Sequence, residues 1–104
     1  MDRIIDRLVG EYGIGYLKID YNIEAGVGTD NRAESCGDGL LEHNRAYICW
    51  IEHIRKKYPE LVIENCASGG NRMDYLTLGL CDVQSTSDQI DYKVYPYIAA
   101  NMFS

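Results

Sequence analysis

The chain has 104 residues, 46% apolar, 25% charged and 11% aromatic, with a formal net charge of −6 and an isoelectric point near 4.7. That is the composition of one modest globular domain, able to bury a core and too apolar for disorder. The acidic balance without a basic stripe argues against nucleic acid. No apolar stretch approaches the roughly 20 residues that span a bilayer, and no apolar signal region follows Met1, so a cytoplasmic chain with no membrane partner is expected.

Ile4, Ile5, Leu8, Val9 and Tyr12 recur at helical spacing, which predicts an amphipathic helix from Asp2 to Glu11 or Tyr12, stopped by Gly13. A strand is expected from about Ile14 to Asp20. Residues Asn22 to Leu40 carry Gly26, Gly28, Gly37 and Gly39 among polar residues without apolar periodicity, which predicts a long loop of the kind that lines a site. A second helix, roughly Leu41 to Tyr58, should bury Tyr47, Trp50, Ile51, Ile54 and Tyr58 along one face and end at Pro59. Leu61 to Cys66 is short, apolar and rich in β-branched residues, a strand leading into a glycine turn at Ala67 to Asn71. A helical turn over Met73 to Leu80 precedes a weaker third strand, Cys81 to Thr86, where only Val83 is strongly strand-forming. Ile90, Val94, Ile98 and Met102 then form a last helical stripe, in which Pro96 marks a kink or the true first turn.

Strands separated by helical crossovers pair in parallel with right-handed connections, so the fold class is α/β with three parallel strands. Such a sheet is normally covered on both faces, so three strands with about three helices should leave edges and apolar faces open. Self-association, to a dimer, or a missing remainder follows. Cys36, Cys49, Cys66 and Cys81 are widely spaced and expected as free thiols, and no metal site or cofactor is expected, since no Cys-x-x-Cys pair occurs and His43 and His53 lie ten apart. Both histidines should face solvent.

Asp20 and Asp88 each stand where a strand gives way to a loop, the position from which parallel α/β folds present catalytic groups. Two such carboxylates suit glycoside chemistry, which needs one to protonate the departing oxygen and one to meet charge at the anomeric carbon. Taken singly, either would more often be a loop or capping carboxylate.

Lys18-Ile19-Asp20-Tyr21-Asn22 resembles the Lys-Trp-Asp-x-Asn nucleophile motif of glycoside hydrolase family 36 α-galactosidases (melibiases), with isoleucine where tryptophan is usual. Cys66-Ala67-Ser68-Gly69-Gly70-Asn71-Arg72-Met73-Asp74 is similar to that family's Cys-x-Ser/Gly-Gly-Gly-Arg-x-Asp segment, and Ser87-Asp88-x-x-Asp91 resembles its acid/base motif. The resemblance implies the middle of a (β/α)8 TIM-barrel catalytic domain, with Asp20 ending strand 4, Cys66 strand 5 and Asp88 strand 6. A closed barrel typically needs about 250 residues, so this would be a partial barrel, completed by self-association and weak or inactive alone.

The implied reaction is retaining hydrolysis of a terminal α-galactoside, with Asp20 as nucleophile and Asp88 as acid/base. A non-enzymatic self-assembling domain and galactosyl transfer to build raffinose-type sugars are the alternatives. Asp20 should be held ionised by a nearby cation, which Lys18, on the same strand face, can supply. By the same resemblance Lys18, Cys66 and the backbone at Ser68, Gly69 and Gly70 bind the sugar. Asn22 and Asn65 are further candidates for its hydroxyls. Arg72 is expected to pair with Asp74 or Glu64, and Trp50 and the tyrosines on its face to be core.

Overall fold

A computed structural model describes residues 1–101. Helix α1 (Asp2–Gly10) ends slightly before the predicted stop, because Glu11 and Tyr12 close back on the Arg7 carbonyl and Gly13, at φ +66, donates to the Val9 carbonyl. Strand β1 (Tyr16–Asp20) follows. The predicted loop contains a 3₁₀ turn, Gly26–Asp30, and helix α2 (Asp38–Lys57) starts three residues before Leu41. The first turn of α2 presses on that 3₁₀ turn at Gly39, where any Cβ would overlap the Thr29 carbonyl oxygen.

Strand β2 (Val62–Cys66) leads through the glycine turn to helix α3 (Tyr75–Leu80), whose N-cap Asp74 accepts from the backbone of Leu76 and Thr77 and from the Thr77 hydroxyl. Strand β3 is two residues, Val83–Gln84, although ladder bonds from Asp82 to the Ile63 carbonyl and from Ser85 to the Asn65 carbonyl flank it. Its sequence offers little else that prefers a pleat. Helix α4 (Tyr95–Asn101) has Pro96 in its first turn, the second of the two readings of that proline. Met102, the end of the predicted stripe, lies outside the described residues.

The sheet is parallel in the order β1-β2-β3, with Lys18 opposite Glu64 and Asp20 opposite Cys66. The α/β class with crossover helices is therefore as read from the sequence. Helices α1 and α2 cover one face, burying Ile5, Ile51, Ile54, Leu61 and Ile63 against Leu17, Ile19, Trp50 and Tyr58. Fully burying such an aliphatic side chain contributes about 1.5–3 kcal/mol. Polar ties hold the layer. Asp6 accepts from Lys57 and the Tyr58 hydroxyl, both at 2.6 Å, the Trp50 indole donates to Asp2 at 2.9 Å, and Arg55 grips Asp82 with two bonds at 2.7 and 3.1 Å.

The other sheet face is open. Along β1 it presents Tyr16, Lys18 and Asp20, all exposed, with Glu64 of β2 beside them. The open face is mixed: period-two alternation sends Leu17 and Ile19 of β1 to the helices and leaves Lys18, Asp20 and Glu64 on it, while Tyr16 and Val83 expose apolar surface there. Among the described residues no helix is long and apolar enough to cross a membrane, and no cluster of His, Cys, Asp and Glu could hold a metal. All four cysteines are free thiols, Cys36 and Cys49 exposed and Cys66 buried.

Candidate active site

The carboxyl ends of β1 and β2 meet at the glycine turn. Asp20, the last residue of β1, is exposed, and its Oδ1 accepts from the Ser68 backbone N–H at 3.2 Å. Asn22 takes the same N–H at 2.6 Å and the Ser68 hydroxyl at 3.1 Å. Ser68 needs this grip, since it sits at φ +44, a conformation that side chains other than glycine adopt at a cost. Cys66 is 2% exposed, directly across from Asp20.

Gly69 brings the turn against the backbone that carries the second carboxylate. It stands at φ +81, and a Cβ there would lie 2.7 Å from the Ser87 Cα and 3.0 Å from the Asp88 nitrogen. Only a glycine lets the turn lie against the chain that carries Asp88. Gly70 closes the turn through a bridge to Ala67. Asp88 is exposed beyond β3, in a stretch shaped by short-range bonds from Gln89 N–H to the Ser87 hydroxyl and from Lys93 N–H to Asp91.

The Asp20 carboxyl is held below the ordinary aspartate value. The Cys66 thiol is the first cause, then the Ser68 N–H and the Asn22 amide, while the Lys18 charge contributes least. Lys18 is engaged elsewhere, its ammonium 3.3 Å from Glu64. Glu64 is the hub of the open face, accepting also from the Ser85 and Tyr16 hydroxyls, which push its carboxyl down, while its own bond to Lys18 pushes that ammonium up.

Three expectations are corrected. Asn65, fully buried, alternates to the helix side, where its amide donates to the Arg72 carbonyl and to Gln84, so it cannot reach a ligand on the Asp20 face. Arg72 pairs with neither Asp74 nor Glu64, because both carboxylates are occupied and its guanidinium meets the Tyr21 and Ile23 carbonyls first. His43 is half-buried, bonded through Nε2 to the Tyr21 hydroxyl, whereas His53 is exposed as expected. The signal for His43 was present in the sequence: with Tyr47, Trp50 and Ile54 it falls at i, i+4, i+7 and i+11, the inward stripe of α2.

A polar cleft of about 390 Å³ opens beside the turn, lined by Tyr21, Asn22, Glu24, Ser68, Asn71 and Arg72. A larger hollow of about 490 Å³ lies between α2 and α3, and like the cleft it is lined by neither Asp20 nor Asp88; Asp20 lines a third, mostly apolar hollow of about 440 Å³ with Ile19, Tyr21, His43, Tyr47 and Trp50. The arrangement offers an ionised carboxylate, a second carboxylate across a close-approach turn, and amide and hydroxyl groups suited to a polyhydroxylated ligand.

The chain matches the Melibiase family over residues 1–95. It is 32% identical over 71 residues to an alpha-galactosidase of Escherichia coli, covering 68% of this chain and 10% of that protein. It is 30% identical over 91 residues to alpha-galactosidase 2 of Pediococcus pentosaceus, covering 84% of this chain and 12% of the relative. The chain thus spans about a tenth of the length of these relatives. No solved structure matches it.

Proposed function

The chain belongs to the Melibiase family, and we propose that it carries the nucleophile and the acid/base of a retaining α-galactoside hydrolase, on strands equivalent to 4, 5 and 6 of a (β/α)8 barrel. One observation carries the reading: Asp20 and Asp88 flank a single glycine turn, Asp20 bonded to Ser68 and the Asp88 backbone packed on Gly69. Asp20 attacks the anomeric carbon as the bond to the leaving oxygen breaks, and Asp88 gives that oxygen its proton. Asp88 then takes a proton from water as the water oxygen displaces Asp20. The depressed Asp20 carboxyl supports the first role, since a nucleophile must be ionised.

Lys18, Asn22, Cys66, Ser68, Gly69 and Gly70 form the sugar-binding side of this site. Transfer to a sugar hydroxyl in place of water would use the same residues, the acceptor alone deciding the product. Activity of the 104 residues by themselves is weak or nil, because catalysis needs reacting groups held to fractions of an ångström and these strands wall the sugar from one side only. The test is a chromogenic α-galactoside assay of the chain beside Asp20→Asn. Slow turnover that Asp20→Asn abolishes supports hydrolysis; turnover that is absent, or equal in both, removes it for this chain.

A second reading, a self-assembling α/β domain, draws on the open sheet face and on the edges at β1 and β3. It is compatible with the first.

A further inference from the structure

We propose that Arg72 is the positioning residue of the Asp20 loop, clamping the two carbonyls that bracket Asn22 so that Asp20 and Asn22 are both aimed at the glycine turn. This rests on the reading of Asp20 as nucleophile. The Arg72 Nε–H donates to the Tyr21 carbonyl at 3.1 Å and Nη2 to the Ile23 carbonyl at 2.9 Å, one on each side of Asn22. Two carbonyls bonded from two nitrogens of one side chain suit the rigid fork of a guanidinium.

Tyr21, the residue next to Asp20, is held at its backbone, its ring and its hydroxyl. Its N–H donates to the Cys66 carbonyl at 2.8 Å, its ring lies 4.1 Å below the Arg72 guanidinium and 4.4 Å from the Tyr47 ring at 18°, and its hydroxyl meets His43. Arg72 is itself anchored, its carbonyl accepting from the buried Asn65 amide at 2.5 Å. The coupling runs from Arg72 to the Tyr21 and Ile23 carbonyls that flank Asn22, from the Asn22 side chain to Ser68, and from the Ser68 N–H to Asp20. Arg72 therefore acts through Asn22 and Ser68 and touches no reacting atom.

The test follows the Asp20 carboxyl carbon through a pH titration by NMR, together with the Ser68 amide, in the whole chain, in Arg72→Lys and in the control Arg45→Gln. Arg45 is an exposed residue of α2 whose ion-pair partner among the described residues is Glu42. In Arg72→Lys, folded as judged by the Ile51, Ile54 and Ile63 methyl signals, the Asp20 midpoint should shift upward toward the ordinary aspartate value and the Ser68 amide should move; Arg45→Gln should change neither. An unchanged Asp20 titration and Ser68 amide in folded Arg72→Lys overturns the proposal. If Arg72→Lys does not fold, exchange of the Arg72 Nε–H in the unaltered chain decides: protection supports the clamp, and exchange at the solvent rate overturns it. Neither readout uses turnover, so a chain without galactosidase activity leaves this result separate from the failure of that reading.

Discussion

Gly69 is the residue on which the packing of the glycine turn against the Ser87–Asp88 backbone depends. Its left-handed backbone and its contact with Ser87 exclude a side chain independently, so Gly69→Ala combines strain with overpacking against main chain that cannot step aside. A loss on the order of 2 kcal/mol in chemical denaturation is expected, with the Asp88 amide displaced in an NMR spectrum; equal stability and an unmoved Asp88 would show that the turn does not press on the segment after β3. The glycine was readable as part of a motif, but the sequence around it cannot say what lies over the turn. Ser68 and Asn22 are similar. Their identities stand in the motifs, and only the fold makes one the acceptor of two bonds from the other.

Among the elements, β3 is the weakest, and its attachment is set by one carboxylate. Asp82 accepts twice from Arg55 of α2 and once from the Ile63 N–H of β2, tying the third strand to the helix layer and to the central strand together. Its carboxyl is lowered by the Arg55 bonds first and the Ile63 N–H second. A depressed folded value means that the stabilisation is present above the ordinary 3.8 and is lost as pH falls through the folded value. Both side chains are about one-third exposed, so solvent screening keeps the tie small. Asp82→Asn should cost roughly 1 kcal/mol at pH 7 in urea unfolding, a difference that closes in acid. A gap that persists unchanged below the ordinary carboxylate range would assign the effect to something other than this charge. The helices were the most legible elements, since α2 repeats its apolar stripe from Tyr47 through Trp50, Ile51 and Ile54 to Tyr58. The third strand was legible only as a weak run, because its pairing comes from Asp82 and the β2 ladder more than from its own residues.

At the scale of the whole molecule, the shape follows from one sheet carrying one layer of helices. The extents are 47 × 38 × 20 Å and the radius of gyration is 15.8 Å, against about 13 Å for a compact domain of 100 residues. The open face carries Lys18, Asp20 and Glu64, groups that lose little by meeting water, so the self-assembly reading rests on the edges of β1 and β3. Light scattering on a size-exclusion column should give a mass above that of one chain, rising with loading concentration. A monodisperse monomer at every concentration would remove the self-assembly reading.

The sequence by itself determined the order of elements, the parallel α/β class, the position of Asp20 at a strand end and the family, because periodicity and short motifs are local properties that survive without knowledge of neighbours. Only the tertiary structure decided which donor meets which acceptor. The register that sets Lys18 opposite Glu64 turned the expected partner of Asp20 into an ion pair of the open face, and the Cys66 thiol and Ser68 N–H took its place. The packing of the segment after the glycine turn against the end of β1 likewise gave Arg72 to the carbonyls around Asn22. Such pairings join residues some 50 positions apart, and they depend on how strands align and cross, which no local pattern encodes.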